Sequence, residues 1–200
     1  DNIGIGSQAL LSNNTGFANI GIGTEALSKN VSGSFNVALG TIALANATGD
    51  MNTGLGHGTG YDLTTGGYNT LIGAFAGHRI TTASANIAIG HNAYATSTFA
   101  PATGNNNTLI GNEAGYILSS GSRNVGVGQS VFYSSGGFPT GTTTGNDNVA
   151  LGYQSARNIT TGSNNLAIGS GINVQTGTAS NQMNIKNTIF GTGMSGTLAA

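Results

Sequence analysis

Asn36-Val37-Ala38-Leu39-Gly40 decides the fold, because the chain keeps returning to it. Asn2-Ile3-Gly4-Ile5-Gly6, Asn19-Ile20-Gly21-Ile22-Gly23 and Asn165-Leu166-Ala167-Ile168-Gly169 are variants of the same pentapeptide. The opening asparagines are Asn2, Asn19, Asn36, Asn52, Asn69, Asn86, Asn107, Asn124, Asn148, Asn165 and, in a degenerate copy, Asn184. Successive steps are 17, 17, 16, 17, 17, 21, 17, 24, 17 and 19 residues. A period near 17 is too short for a helical hairpin and suits one coil of a narrow β-solenoid.

Each coil continues alike. A second short run follows the pentapeptide (Ala9-Leu10, Ala26-Leu27, Ala43-Leu44, Ala93-Tyr94), and a polar segment then ends in a turn such as Thr15-Gly16 or Thr161-Gly162. Glycine several times per coil argues against helix, where each costs about 1 kcal/mol relative to Ala. Two short strands and two turns per coil are expected. The closing glycine marks a positive-φ turn. The asparagines are expected to stack as a ladder of amides at the strand spacing of about 4.8 Å.

Side chains alternate faces along a strand. If Ile3 and Ile5 point inward, Gly4 points outward, as do its counterparts Gly21, Ala38, Gly54, Leu71, Ala88, Leu109, Gly126, Ala150 and Ala167. None is polar, whereas a solvated face alternates apolar with polar. That row is therefore expected to pack against another copy of the chain. A 17-residue coil also encloses little volume, which association remedies.

Composition narrows the function. Charged residues are 6% of the chain and its net charge is −1, with Lys29, Arg79, Arg123, Arg157 and Lys186 scattered. No basic patch gathers phosphates, so nucleic acid is not an expected partner. Cysteine is absent, which removes disulfides and thiolate metal sites. No apolar run is long enough to insert in a membrane. No basic segment followed by an apolar one opens the sequence, and Asp1 lies at once inside a repeat, as in a piece of something longer.

These repeats, Asn-Val-Ala-Leu-Gly and Asn-Ile-Ala-Ile-Gly spaced by Ala-Leu runs and Thr-Gly turns, resemble the head repeats of trimeric autotransporter adhesins. They are also similar to arrays in phage tail fibres and bacterial surface fibres. The resemblance covers Asn2 to about Ile172. It implies a left-handed parallel β-roll, three of which pack around a common axis, in an extracellular fibre on a cell surface or virion tail. The segment Ser180–Gly191 is similar to the stretch that closes such arrays. The expected class is thus an all-β parallel β-solenoid of about eleven coils, trimeric. Residues 1–172 form the array and 173–200 a degenerate last coil with a terminating segment. The row Gly4, Gly21, Ala38, Leu71, Ala88, Leu109, Ala150 and Ala167 is the candidate inter-chain surface.

Two breaks in period mark inserted loops, at 92–106 and 132–147. Loops on a solenoid project from one edge and often bind. Tyr94, Phe99, Phe132, Tyr133 and Phe138 are the candidate contacts for a host-surface glycan or protein receptor. Coil four is irregular: His57-Gly58-Thr59-Gly60-Tyr61 replaces the Ala-Leu run, and Tyr61 is expected to fill the gap. Asn13, Asn30, Asn46 and Asn158 begin glycosylation sequons, which chance alone produces in an Asn/Thr-rich chain.

Catalysis finds little to work with. Glu25 and Glu113 share a coil position but lie several coils apart, roughly 25 Å. His57 and His91 lie about 10 Å apart, too far for one metal, and His78 stands alone. No cofactor and no catalytic set is expected. A hexapeptide-repeat acyltransferase would need three hexads per 18-residue coil, against one signal per coil here. An ice-binding solenoid would need paired rows of Thr, against isolated Thr70 and Thr108. A structural and adhesive fibre segment that spaces, and presents, receptor-binding loops is the expected function.

Overall fold

The computed structural model describes residues 1–95, 101–133 and 143–186. Within them the chain is a parallel β-solenoid without helix. Each coil contributes one three-residue strand, from β1 (Ile3–Ile5), β2 (Ile20–Ile22) and β3 (Val37–Leu39) to β10 (Leu166–Ile168) and β11 (Met183–Ile185). The intervening strands are β4 (Thr53–Leu55), β5 (Thr70–Ile72), β6 (Ile87–Ile89), β7 (Thr108–Ile110), β8 (Val125–Val127) and β9 (Val149–Leu151). They form a single sheet in chain order. Register is kept coil to coil, so Ala38 pairs with Gly21 and Gly54, and Leu109 with Ala88 and Gly126. At about 4.8 Å per strand the eleven strands span about 50 Å.

The second run of each coil is a chain of turns, not the strand its Ala-Leu pairs suggest. Leu10, Leu27 and Leu44 sit there at φ 54, 52 and 49°, a left-handed conformation costly for a branched side chain. Hydrogen bonds to the next coil hold it, Leu10 N–H to Ala26 and Leu27 N–H to Ala43, and Leu27 and Leu44 are fully buried.

The strand faces are the reverse of the expectation. The middle residues Ala38, Leu71, Ala88, Leu109, Ala150 and Ala167 have no exposed surface. Their flanking aliphatics face out: Ile5 is 58% exposed and Leu39 48%. The cause is the bore of the coil. The middle residue meets the leucine eight places after the Asn: a Cβ on Gly21 would lie 3.3 Å from Leu10 Cγ, and one on Gly54 2.8 Å from Leu44 Cγ. Only one large side chain fits per layer. Where the strand carries Leu71 or Leu109, the opposing place is Gly77 or Gly115, whose added Cβ would lie 2.8 and 2.5 Å from those leucines. Where the strand carries Gly126, the opposing residue is Phe132, with ring atoms 3.0 Å from a Cβ there. Coil four has glycine at both places, and Leu44 and Leu71 close over Gly60 from the neighbouring coils. Tyr61 does not fill that gap; its ring stacks on His78, centroids 5.6 Å apart.

The amide ladder forms inside the roll. Asn69 Nδ2 donates to Asn52 Oδ1 at 3.0 Å and to the Ala83 carbonyl at 2.9 Å. Asn69 Oδ1 accepts from the Asn86 backbone N–H at 3.0 Å and from Asn86 Nδ2 at 3.2 Å. This pattern runs from Asn19 to Asn165. Gln182, not Asn184, is the last rung, 2.9 Å by its N–H and 3.2 Å by its side chain from Asn165 Oδ1. Asn184 instead takes the middle place of β11, paired with Ala167. The residues after Ile172 complete the coil of β10, and β11 pairs in register with it.

The closing glycines follow the expected turn and have a second reason. Gly73 sits at φ 123°, and a Cβ on it would lie 2.7 Å from the Gly90 carbonyl carbon and oxygen. Coils stack there backbone on backbone, leaving no room for a side chain.

Candidate functional site

The candidate contacts do not gather into one site. Tyr94 is fully buried, because it occupies the place of the core leucines. Its hydroxyl donates to the Gly104 carbonyl at 2.8 Å, and burial pushes its pKa far above the usual range. Phe132 is 1% exposed, at the same place in its coil. Both are core residues rather than receptor contacts. Phe99 and Phe138 lie outside the described residues.

Tyr133 alone of the five is described at the surface, half-buried. It stacks on Tyr116 at 5.6 Å, with the Arg157 guanidinium 5.9 Å from its ring centroid. Arg157 Nε donates to the Tyr133 carbonyl at 2.9 Å and Nη1 to Gln154 Oε1 at 3.1 Å. Tyr61, His78, Tyr116, Tyr133 and Arg157 all stand nine places after their coil's Asn, so they form one edge of the roll. Ala95 holds the same place in its coil. The shared position was readable in the numbering, but the stacking was not.

The outer face of the sheet carries exposed apolar side chains. Two rows run its length, represented by Ile3, Val37 and Ile87 on one side and Ile5, Leu39 and Val127 on the other; of these Ile3, Ile5, Leu39, Ile87 and Val127 are each exposed by more than a third. Beside the first row, one place before the Asn, stand Phe35, Met51 and Tyr68, also exposed. Phe17 packs edge-on against Phe35 at 4.9 Å. Farther along, that row turns polar, where Arg123 pairs with Asp147 at 2.7 and 2.8 Å. Each holds the other charged: Arg123 is pushed up and Asp147 down from its ordinary value. The inter-chain row expected at Gly4, Gly21, Ala38, Leu71, Ala88, Leu109, Ala150 and Ala167 is thus corrected. Ala38 and its equivalents line the bore, and the apolar outer surface belongs to their neighbours.

A second ladder escaped the sequence reading. Two places before each Asn, Ser34 Oγ accepts from Phe17 N–H at 3.2 Å, Asp50 Oδ1 from Ser34 N–H at 2.7 Å, and Asn105 Oδ1 from Ser84 N–H at 2.7 Å. The residue type varies from Ser to Asp to Asn, which hid the row. The sequon asparagines are likewise used: Asn30 is buried, donating to Gly33 at 2.9 Å, and Asn158 donates to Val174 at 2.7 Å.

Among the described residues no group of three or more His, Cys, Asp or Glu side chains is placed to hold a metal ion, and no helix is long and apolar enough to cross a membrane. Compared with protein-family models, curated proteins and solved structures, the chain matches none.

Proposed function

We propose that the chain is a segment of a homotrimeric extracellular fibre, on a phage tail or a cell surface, whose rolls associate through the outer face of the eleven-stranded sheet. The observation that carries this reading is the outer sheet face, about 50 Å long, on which the row from Ile5 to Ile185 is aliphatic in every strand and the parallel row from Ile3 to Met183 is interrupted only by Thr53, Thr70 and Thr108. Contiguous apolar patches of that size mark association surfaces. The fibre spaces, and presents, an attachment surface for a host glycan or protein receptor. The edge bearing Tyr116, Tyr133 and Arg157 is the part of the roll best furnished for that role.

Native mass spectrometry tests the association. The chain is expected as a trimer, and Leu39→Asp with Ile72→Asp is expected to disperse it without unfolding the roll, since both side chains face outward. A wild-type monomer at micromolar concentration would sink the reading. Glycan-array binding by the wild type, compared with Tyr133→Ala, then tests the edge; unchanged binding by the variant removes Tyr133 from the contact.

A further inference from the structure

All three histidines of the chain meet on one side chain. The Phe75 ring lies 5.1 Å from His57, 5.4 Å from His78 and 6.4 Å from His91, centroid to centroid, in edge-on contacts. His78 is also stacked on Tyr61 at 5.6 Å with nearly parallel planes. The cluster is built rather than incidental. Phe75 lies flat only because the neighbouring coil has Gly58 beneath it, where a Cβ would come within 2.8 Å of the ring. The backbone ties the same coils together, Phe75 N–H to the His57 carbonyl at 2.9 Å and Asp62 N–H to the His78 carbonyl at 3.1 Å. Phe75 is its centre, and His78 joins it to Tyr61.

We infer that this cluster is an acid-sensitive joint, at which the coils of β4, β5 and β6 loosen when the histidines take up protons. Three positive charges then fall around one apolar ring. The charged and titratable groups facing them are few among the described residues. On the coil of β4 these are Tyr61 and Asp62. On the coil of β5 stands Arg79, whose Nη1 is already 3.6 Å from Asp62. On the coil of β7, Glu113 reaches His91 by its backbone N–H and faces Ser130 Oγ with its carboxylate, 3.4 Å away. Arg79 and Asp62 are of opposite sign and Glu113 lies one coil away, so each proton taken up by the cluster adds positive charge around the ring. The Tyr61 face stacked on His78 favours an imidazolium by cation–π attraction. Burial opposes it, and for His78 burial wins: desolvation, with Arg79 and His57 adding to it against Asp62, holds its pKa below 6.5. The sign follows. The folded coil keeps neutral imidazole while the unfolded chain binds the proton more readily, so this contribution to stability is complete above pH 6.5 and is lost as pH falls below it. The joint does not depend on association between chains.

Amide hydrogen exchange of the full chain at pH 7.5 and pH 5.0, with each rate corrected for intrinsic chemistry, reads the effect. Residues 57–92 are expected to lose more protection at pH 5.0 than residues 149–168, because the unfolded chain binds the His78 proton more readily than the folded coil. In His57→Gln/His78→Gln/His91→Gln the difference is expected to vanish. Equal response of the two regions, or a difference that persists in the triple variant, overturns the inference. Should that variant fail to fold, the nuclear magnetic resonance titration of His78 in the wild type decides: a midpoint below 6.5 supports the joint, and one at or above 6.5 refutes it.

Discussion

Replacing Asn69 by Ala probes the amide ladder at its middle. Asn69 is 1% exposed, and its side chain makes four hydrogen bonds, two to the previous coil's Asn52 and the Ala83 turn and two from Asn86. Not all the partners are stranded by its loss. Asn86 Nδ2 keeps Ser84 and Gly104, each at 3.1 Å, and Asn52 Oδ1 keeps the residue-69 N–H at 3.1 Å. The Asn86 N–H and the Ala83 carbonyl lose their partners. Each orphaned buried group costs about 1–3 kcal/mol, so the substitution is expected to cost roughly 2–6 kcal/mol. Asn69→Asp keeps the acceptor but sets a carboxylate against the Ala83 carbonyl and Asn52 Oδ1. It is expected to be at least as damaging at pH 7, with partial recovery at pH 4 as the carboxyl gains a proton to donate. Urea denaturation followed by circular dichroism measures the loss, and hydrogen exchange over residues 66–90 localises it. Asn14→Ala, at an exposed amide outside the ladder, is the control and is expected to stay within about 0.5 kcal/mol. A loss below about 1 kcal/mol in Asn69→Ala, or an Asp variant as stable as wild type at pH 7, would refute the view that these amides are dry and mutually dependent.

Two further outcomes test the core. Gly73→Ala combines a forbidden φ with a backbone collision and is expected to cost roughly 2–6 kcal/mol, whereas Gly171→Ala, with nothing within 4 Å, is expected to cost only about 1–2 kcal/mol of strain; scanning calorimetry separates them. In an ultraviolet titration of the six tyrosines, Tyr94 is expected to stay protonated past pH 10. Its stabilising contribution is complete below the unfolded value of 10 and is lost as pH rises toward the folded value.

The period was legible because each coil repeats one hydrogen-bonding device, an Asn followed four places later by Gly. The facing was not, because large aliphatics were assumed to fill the core. The correcting signal lay in pairs of positions. Leu71 is matched by Gly77, Leu109 by Gly115, and Gly126 by Phe132, a reciprocity of size six residues apart that only touching side chains would keep. Read that way, Tyr94 and Phe132 join Leu27 and Leu44 as core residues. The histidine cluster escaped for a different reason. His57, His78 and His91 hold two different coil positions, and the ring that joins them, Phe75, lies flat only over Gly58. Gln182 was missed because its longer side chain performs the task of an Asn.

The ladder of amides also gives the rod an electrical direction. Backbone hydrogen bonds run both ways between coils: Gly40 N–H points back to Ile22, whereas Val37 N–H points forward to Asn52. The side-chain amides do not alternate. From Asn36 to Gln182 each rung donates toward the coil before it. Their dipoles therefore add head to tail along the axis, each polarising the next. Rungs in the interior of such a series are held more strongly than those at its two ends, where the ladder closes on the backbone: Asn2 Nδ2 donates to the Gly16 carbonyl and Gln182 Oε1 accepts from Thr176 N–H, each at 2.8 Å.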